Sequence, residues 1–426
     1  MLKSHNPYRI MPLETDIRIL HPLIERLVEL ANLPSEDRKK RLWADHQALL
    51  PTRKIPVCVY YEGIPGSQWD TMFGSDHLQT EDSLARSIEF DLKRRIWMAE
   101  NVPDDHIVWP SVTIHAPMKI VQNWGVSIQW SSSIHPLGAR GYKPPFEEQI
   151  DLSQLTQPVY RFDTEATQTL KDKATELTQG MLDVFVHYAS MGYAPFDVAT
   201  SMRGMTNLMM DVVECPDQVT GLMAFLTDAE IAHETWREQN NCINVFPDRT
   251  QTYQQVGFRV HCAYLPAGFG DRKARLEDEW TYLSQQTSAG LGPEQYRDFV
   301  QPFNVALASL FSQETVYYHG CECLDQKLAV LASTPNLRRF HISPWSSVAK
   351  ARDVFQGKMV LEVHDHPGRV FFGATREEIR TNLRCLVQQA QGHPMDLNIS
   401  DIHSFGGKPE MLSLWAEIAQ DVASGN

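Results

Sequence analysis

The stretch Val316-Tyr317-Tyr318-His319-Gly320-Cys321-Glu322-Cys323 carries a β-branched and aromatic run into a glycine. Four potential metal ligands fall within its last five residues. The run reads as a short strand and the glycine as the start of a loop. On an extended chain, residues two apart point to the same side, so His319 and Cys321 share a face. Imidazole with thiolate suits zinc, which favours nitrogen and sulfur in a tetrahedral shell. The structural alternative is a buried cysteine pair with His319 hydrogen-bonded to backbone, since free cysteine is often core.

The same order of apolar run, ligand-rich end and helix recurs along the chain. Apolar runs occur at Ile55–Tyr60, Val108–Ile114, Val184–Ala189, Cys242–Phe246, Arg259–Leu265, Thr315–Tyr318, Arg339–Ile342, Met359–Val363 and Leu397–Ile399. Helical stretches are predicted at Met205–Leu226, Gly292–Phe311, Asp325–Leu331, Ser347–Phe355, Thr375–Gln391 and Pro409–Val422. Alternation of this kind indicates parallel βα units. The fold class is therefore α/β, with a (β/α)8 barrel as the expected architecture. The nine runs exceed the eight strands of such a barrel, so at least one belongs to an insertion.

Residues 1–50 read as a helical extension, with Ile17, Leu20, Leu23, Ile24, Leu27 and Leu30 at helical spacing. Residues 51–426 form the expected barrel, with insertions near 120–165 and 250–275. The first insertion alternates in strand fashion at Val126–Trp130 and is expected to cover the barrel mouth. Residues 253–275, rich in glycine, are a second candidate lid.

Length and charge exclude several classes. The 426 residues carry a net charge of −14, which argues against nucleic acid, where clustered Lys and Arg are rewarded. No apolar run reaches the ~18 residues of a membrane span, and the first residues lack a signal-peptide core. The expectation is a cytoplasmic enzyme with no membrane or nucleic-acid partner. Seven scattered cysteines fit reduced thiols better than disulfides.

Three other strand ends bear candidate chemistry. Leu361–Pro367 puts His364 and His366 on one face, and Asn398–Ser404 does the same for Asp401 and His403. Asp401 and His403 are candidate acids, bases or ligands. Capping of the last helix is the structural alternative for Asp401. Asp278 stands two residues before Trp280 as a further acid beside an aromatic. In the loop leading into a helix at residues 196–207, Asp197 and Arg203 are substrate-binding candidates, Arg203 as a bidentate carboxylate clamp. His364 and Trp280 complete the expected substrate contacts. No phosphate-binding loop, G-x-G-x-x-G or G-x-S-x-G is present.

Taken collinearly, Phe196–Asn207, Cys215–Val219, Asp278-Glu279-Trp280, Gly292–Phe299, His319-Gly320-Cys321-Glu322, Pro335–Arg339 and Ile342–Trp345 resemble the uroporphyrinogen-decarboxylase superfamily. The resemblance covers residues 180–422 well and the first third loosely. It implies a (β/α)8 barrel and one of two chemistries. The haem-pathway decarboxylases use an Arg-rich loop after the first strand, whereas here that strand runs into Glu62-Gly63-Ile64-Pro65-Gly66. The chain looks more like the corrinoid- and thiol-dependent methyltransferases, whose thiol-using members bind zinc through H-x-C and a later cysteine. His319 and Cys321 match the motif; the later cysteine is absent. Glu322, Cys323, His364 or His403 are the expected substitutes. The resemblance further implies a small methyl donor or acceptor, a corrinoid carried on a partner protein, and a homodimer. The alternative is a metal-independent decarboxylase of a small aromatic or pyrrolic acid, with Asp278 stabilising the protonated ring.

Overall fold

The computed structural model describes residues 13–61, 63–133, 140–244, 273–311 and 315–425. Its parallel-paired strands are β1 (Val57–Val59), β2 (Ser111–His115), β3 (Asp183–His187), β4 (Thr281–Ser284), β5 (Val316–His319), β6 (Leu337–Ile342), β7 (Val360–Asp365) and β8 (Met395–Ile399), in two separate sheets. Six form one sheet in the order β1-β8-β7-β6-β5-β4, and β2 pairs with β3. Loop segments before β2 and after β3 bond to the six-stranded sheet. Asp105 N donates to Val57 O at 2.8 Å, the Asp104 carboxylate accepts from Val59 N at 2.9 Å, and Ser284 N donates to Tyr193 O at 3.3 Å.

Strand positions alternate with period two between two environments. On one face Val59, Tyr318, Phe340, Ile342, Leu361, Val363, Leu397 and Ile399 join a single apolar cluster. Helix residues Leu307, Leu331, Phe355, Leu383 and Trp415 pack into the same cluster. Burying each such side chain contributes about 1.5–3 kcal/mol. The opposite face is polar and equally buried: Tyr60, Tyr317, His319, Arg339, His341, Glu362, His364, Asp396 and Asn398. Buried charge is tolerated there because it is paired throughout. Arg339 bonds both Asp396 oxygens at 2.6 and 2.7 Å and Glu362 at 2.5 Å.

Both N-terminal helices are present, Leu13–Ala31 and Pro34–Gln47. The first buries Leu20, Ile24, Leu27 and Leu30 against Ala85, Ile88, Leu92, Ala174 and Leu177. The second reaches the polar face, where His46 Nε2 lies 2.8 Å from Asp396. Around the 120–165 insertion the chain forms two antiparallel ribbons, Met118–Gln122 with Val159–Phe162 and Gln129–Trp130 with Tyr142–Lys143.

Several sequence expectations change in detail. The helix expected over Met205–Leu226 is two, Met205–Glu214 and Pro216–Gln239, because Pro216 cannot donate to the preceding turn. That over Gly292–Phe311 is Pro293–Phe299 and Gln301–Ala308, with Pro302 accepted in a first turn for the same reason. The run expected at Cys242–Phe246 has no strand over its described residues Cys242 to Asn244, and Arg259–Leu265 lies outside the described residues, as does nearly all of the second candidate lid. Strand β4 is not among the expected runs; its four residues begin two residues after the charged turn at Leu276–Asp278.

Candidate metal centre and adjoining cavity

Register brings three imidazoles together on the polar face. Tyr317 pairs with Arg339 and His341 with Glu362, so His319, His341 and His364 occupy the ends of three neighbouring strands. Ring centroids are 4.2 Å apart for His319 and His341, and 4.1 Å for His341 and His364. His319, Cys321 and His341 each offer one ligand atom, all within 4.8 Å of one another. A span of that size suits a single ion bound at ~2.0–2.3 Å to each.

Hydrogen bonding fixes which ring nitrogens face this point. Tyr317 donates its hydroxyl to Glu362 Oε1 at 2.7 Å. Its oxygen can then only accept from His319 Nδ1 at 2.9 Å and His341 Nδ1 at 3.2 Å. Both rings carry their proton on Nδ1, leaving Nε2 as a lone-pair donor. His319 Nε2 lies 3.1 Å from Cys321 Sγ. Metal-binding imidazoles are commonly oriented this way by an oxygen behind the ring.

Electrostatics favour neutral imidazoles. Burial, with neighbouring His341 and His364, pushes His319 well below its ordinary value, and burial with His364 pulls His341 down to about 4. Burial would raise the Glu362 carboxyl, but Arg339 and hydrogen bonds from the histidines hold it well below the usual range. Cys321 moves the other way, to about 12, through burial and the nearby Asp401 and Glu322 carboxylates. It is therefore a thiol until a cation displaces the proton.

Beside these ligands is a cavity of about 350 Å³, within the range of small-molecule sites. Cys321, His341, His364, Asp401 and His403 line it, with Trp345, His366, Phe372 and Ile402. Asp401 adopts a left-handed backbone (φ 54°) where the chain turns out of β8, a conformation Asp tolerates better than most residues. Its carboxylate lies 3.8 Å from Cys321 Sγ.

Of the residues singled out from sequence, His319, Cys321, His364, Asp401 and His403 meet at this cavity or its floor. The others lie elsewhere. Arg203 is buried in a bidentate pair with Asp211 at 2.5 and 3.2 Å, and its remaining donors reach the carbonyls of Phe146, Glu147 and Glu148. A substrate clamp needs a free guanidinium edge, and this one is spent on the ribbon that follows β2. Asp197 accepts from Thr287 N and Oγ1 at 2.8 and 2.6 Å, holding two loops together. Asp278 Oδ2 accepts from Arg275 N at 2.8 Å, closing the turn before β4. Trp280 is packed with Tyr282 and Tyr317. Neither Glu322, pushed up to about 7 mainly by burial, nor exposed Cys323 lines the cavity or belongs to a ligand group among the described residues. No described residue of the 118–162 ribbons lines it either; they meet the helix Pro195–Arg203 through Phe146 N to Met202 O at 3.0 Å.

Sequence reasoning missed His341, the third ligand atom. Among the described residues two further groupings exist. His341, Glu362 and His364 also converge, but Glu362 already accepts from Tyr60, Tyr317, Arg339 and His364. Cys58, Asp104 and His106 form the other, where Asp104 accepts from Val59 N and His106 N.

No protein-family model and no curated protein matches the chain. Among solved structures, a methyltransferase from Methanosarcina mazei is similar, with a TM-score of 0.52 and 11% identity over 90% of this chain and 98% of that one. At that identity the likeness is one of fold. No helix among the described residues is long and apolar enough to cross a membrane.

Proposed function

We propose that this chain is a methyltransferase whose eight strands form a (β/α)8 barrel of the uroporphyrinogen-decarboxylase type, with its active centre where β5–β8 end. The observation that carries the reading is the convergence of one ligand atom each from His319, Cys321 and His341 within 4.8 Å, with Cys321 and His341 in the cavity wall. Two neutral imidazoles and a thiol form a donor set that fits zinc. A zinc ion bound there would supply Lewis acidity, keeping a thiolate deprotonated near neutral pH.

The chain's own residues have separable tasks. Tyr317, backed by Glu362, would hold the proton of the His319 and His341 rings at Nδ1 and leave Nε2 available to an ion. His364 is fixed between Glu362 Oε1 at 2.8 Å and Ser400 Oγ at 2.9 Å and forms part of the cavity wall. Asp401 and His403 stand where a leaving group could be protonated. The methyl group would pass between a small methylated substrate, a corrinoid on a partner protein and a thiol or pterin acceptor. Approach through one mouth sets donor and acceptor in line.

A decarboxylase would need a cationic cradle for its carboxylate, and the described lining contains no Lys or Arg. Asp278, the acid that reading depends on, is outside the lining. Metal analysis of purified protein separates the two. About one zinc per chain, lost in Cys321→Ser, supports methyl transfer. Metal-free protein that decarboxylates an aromatic or pyrrolic acid refutes it.

A further inference from the structure

The second N-terminal helix, Pro34–Gln47, ends against the buried polar network that stands behind the imidazoles. Trp43, His46 and Gln47 are spaced i, i+3 and i+4, so they share one helix face, and all three are buried. Trp43 donates its Nε1–H to Asp105 O at 2.8 Å, and its ring centroid lies 5.8 Å from the Arg339 guanidinium. His46 Nε2 lies 2.8 Å from Asp396 Oδ2; a carboxylate can only accept, so the imidazole donates. Arg339 grips the same carboxylate through both terminal nitrogens at 2.6 and 2.7 Å, and its Nε–H reaches Glu362 Oε2 at 2.5 Å. Glu362 Oε1 accepts from Tyr317 at 2.7 Å and from His364 at 2.8 Å, and Tyr317 accepts from His319 and His341. An unbroken file of hydrogen bonds therefore runs from the helix to two of the candidate ligands.

Packing alone calls for no imidazole at position 46, because a helix face that only covered the strands would be cheaper to bury if apolar. The network sets two carboxylates, Glu362 and Asp396, against one guanidinium, that of Arg339. The His46 donor satisfies Asp396 without drawing Arg339 away from Glu362. We infer that His46 is a positioning residue for the metal centre. By anchoring Asp396 it fixes Arg339, and through Arg339 the orientation of Glu362 and the Nδ1–H tautomer of the His319 and His341 rings. Groups behind a ligand set its ring orientation and basicity, and in a buried network of low dielectric each link strengthens the next. The inference rests on the metal reading of that site and extends it to the N-terminal helices, which then belong to the active centre rather than to its outer wrapping.

Zinc affinity is measured by chelator competition on full-length variants, their folding by denaturant titration, and ligand geometry by the visible bands of the cobalt(II) form. His46→Leu keeps bulk and removes the donor. It should weaken zinc by ~3- to 30-fold, somewhat less than loss of a group that touches the ligands, and should shift the cobalt bands. His46→Gln, whose amide N–H can stand in for Nε2–H, should restore most of both. Gln47→Leu is the packing control: it changes the same buried face, where the Gln47 amide has no hydrogen bond among the described residues, and should leave both readouts unchanged. Asp396→Asn probes the same link from its other side, and combined with His46→Leu it should weaken zinc by less than the two effects added. Unaltered zinc affinity in folded His46→Leu, an equal loss in His46→Gln or Gln47→Leu, or strict additivity with Asp396→Asn would overturn the inference and leave the metal reading standing. An unaltered chain that takes up no zinc would sink both.

Discussion

Replacing Tyr317 with phenylalanine removes one oxygen from the middle of the imidazole cluster and changes little in shape. That oxygen makes three hydrogen bonds, to Glu362 at 2.7 Å and to the Nδ1 atoms of His319 and His341 at 2.9 and 3.2 Å. Without it neither ring is held as the Nδ1–H tautomer by the hydroxyl, and a ring that protonates Nε2 instead presents no lone pair to a metal. Loss of such supporting groups typically weakens metal binding 10- to 100-fold, or about 1.4–2.7 kcal/mol. The buried hydroxyl should also cost about 1–3 kcal/mol of folding stability. Zinc affinity is measured by competition with a chromophoric chelator, and folding by denaturant titration. Tyr318→Phe is the matched control: one residue away, its hydroxyl bonds Tyr296 at 2.8 Å on the helix-covered side, so zinc affinity should not change. An unaltered zinc affinity in folded Tyr317→Phe, or an equal shift in Tyr318→Phe, would refute the argument from tautomers.

Other outcomes follow from the same geometry. His341→Ala should abolish stoichiometric zinc while Cys323→Ser leaves it intact, by elemental analysis; the reverse pattern would restore Cys323 as ligand. Arg203→Ala should destabilise by about 3–5 kcal/mol, since it leaves Asp211 buried without its partner, yet should leave the zinc content of the folded protein unchanged. Burial raises Glu230 to about 8, above its unfolded value, so its folded form retains a proton that the unfolded chain releases. Stability from this group is complete below about pH 4.5 and falls as pH rises towards 8, by up to a few kcal/mol. Glu230→Gln should flatten that decline in chemical-denaturation curves taken from pH 5 to 8; an unchanged slope would show that the carboxyl ionises freely in the folded state.

The helical and strand rhythm of residues 337–423 is plain in the sequence because β6, β7 and β8 each lead into a helix with one apolar face. Strand β4 was hidden by length: Thr281–Ser284 follows a charged turn, and four residues give no period to read. His341 was hidden for another reason. A lone histidine within a strand normally reads as core, and the available signal was the alternation shared by Arg339-Phe340-His341-Ile342, Leu361-Glu362-Val363-His364 and Asp396-Leu397-Asn398-Ile399. Strands buried on both faces of a parallel sheet are usually apolar throughout, so polar residues at every second position in three strands mark a polar interior. Arg203 and Asp197 misled because a charged residue near a loop has the same appearance whether it meets a substrate or ties down backbone. Only the positions of Asp211 and Thr287 decide between the two, and neither position can be read from spacing.

The two-sided strands also imply how this protein should respond to change. Along β6, β7 and β8, odd and even positions answer to different demands, so a scan of all substitutions should resolve into two interleaved series. At Phe340, Ile342, Leu361, Val363 and Leu397 the limiting quantity is cellular abundance, and any residue of similar volume and apolarity should serve. At His341 and His364 turnover should fall further than abundance. Such a division lets a lineage retune its chemistry by altering one set of side chains while the scaffold's foldability stays in the keeping of the other.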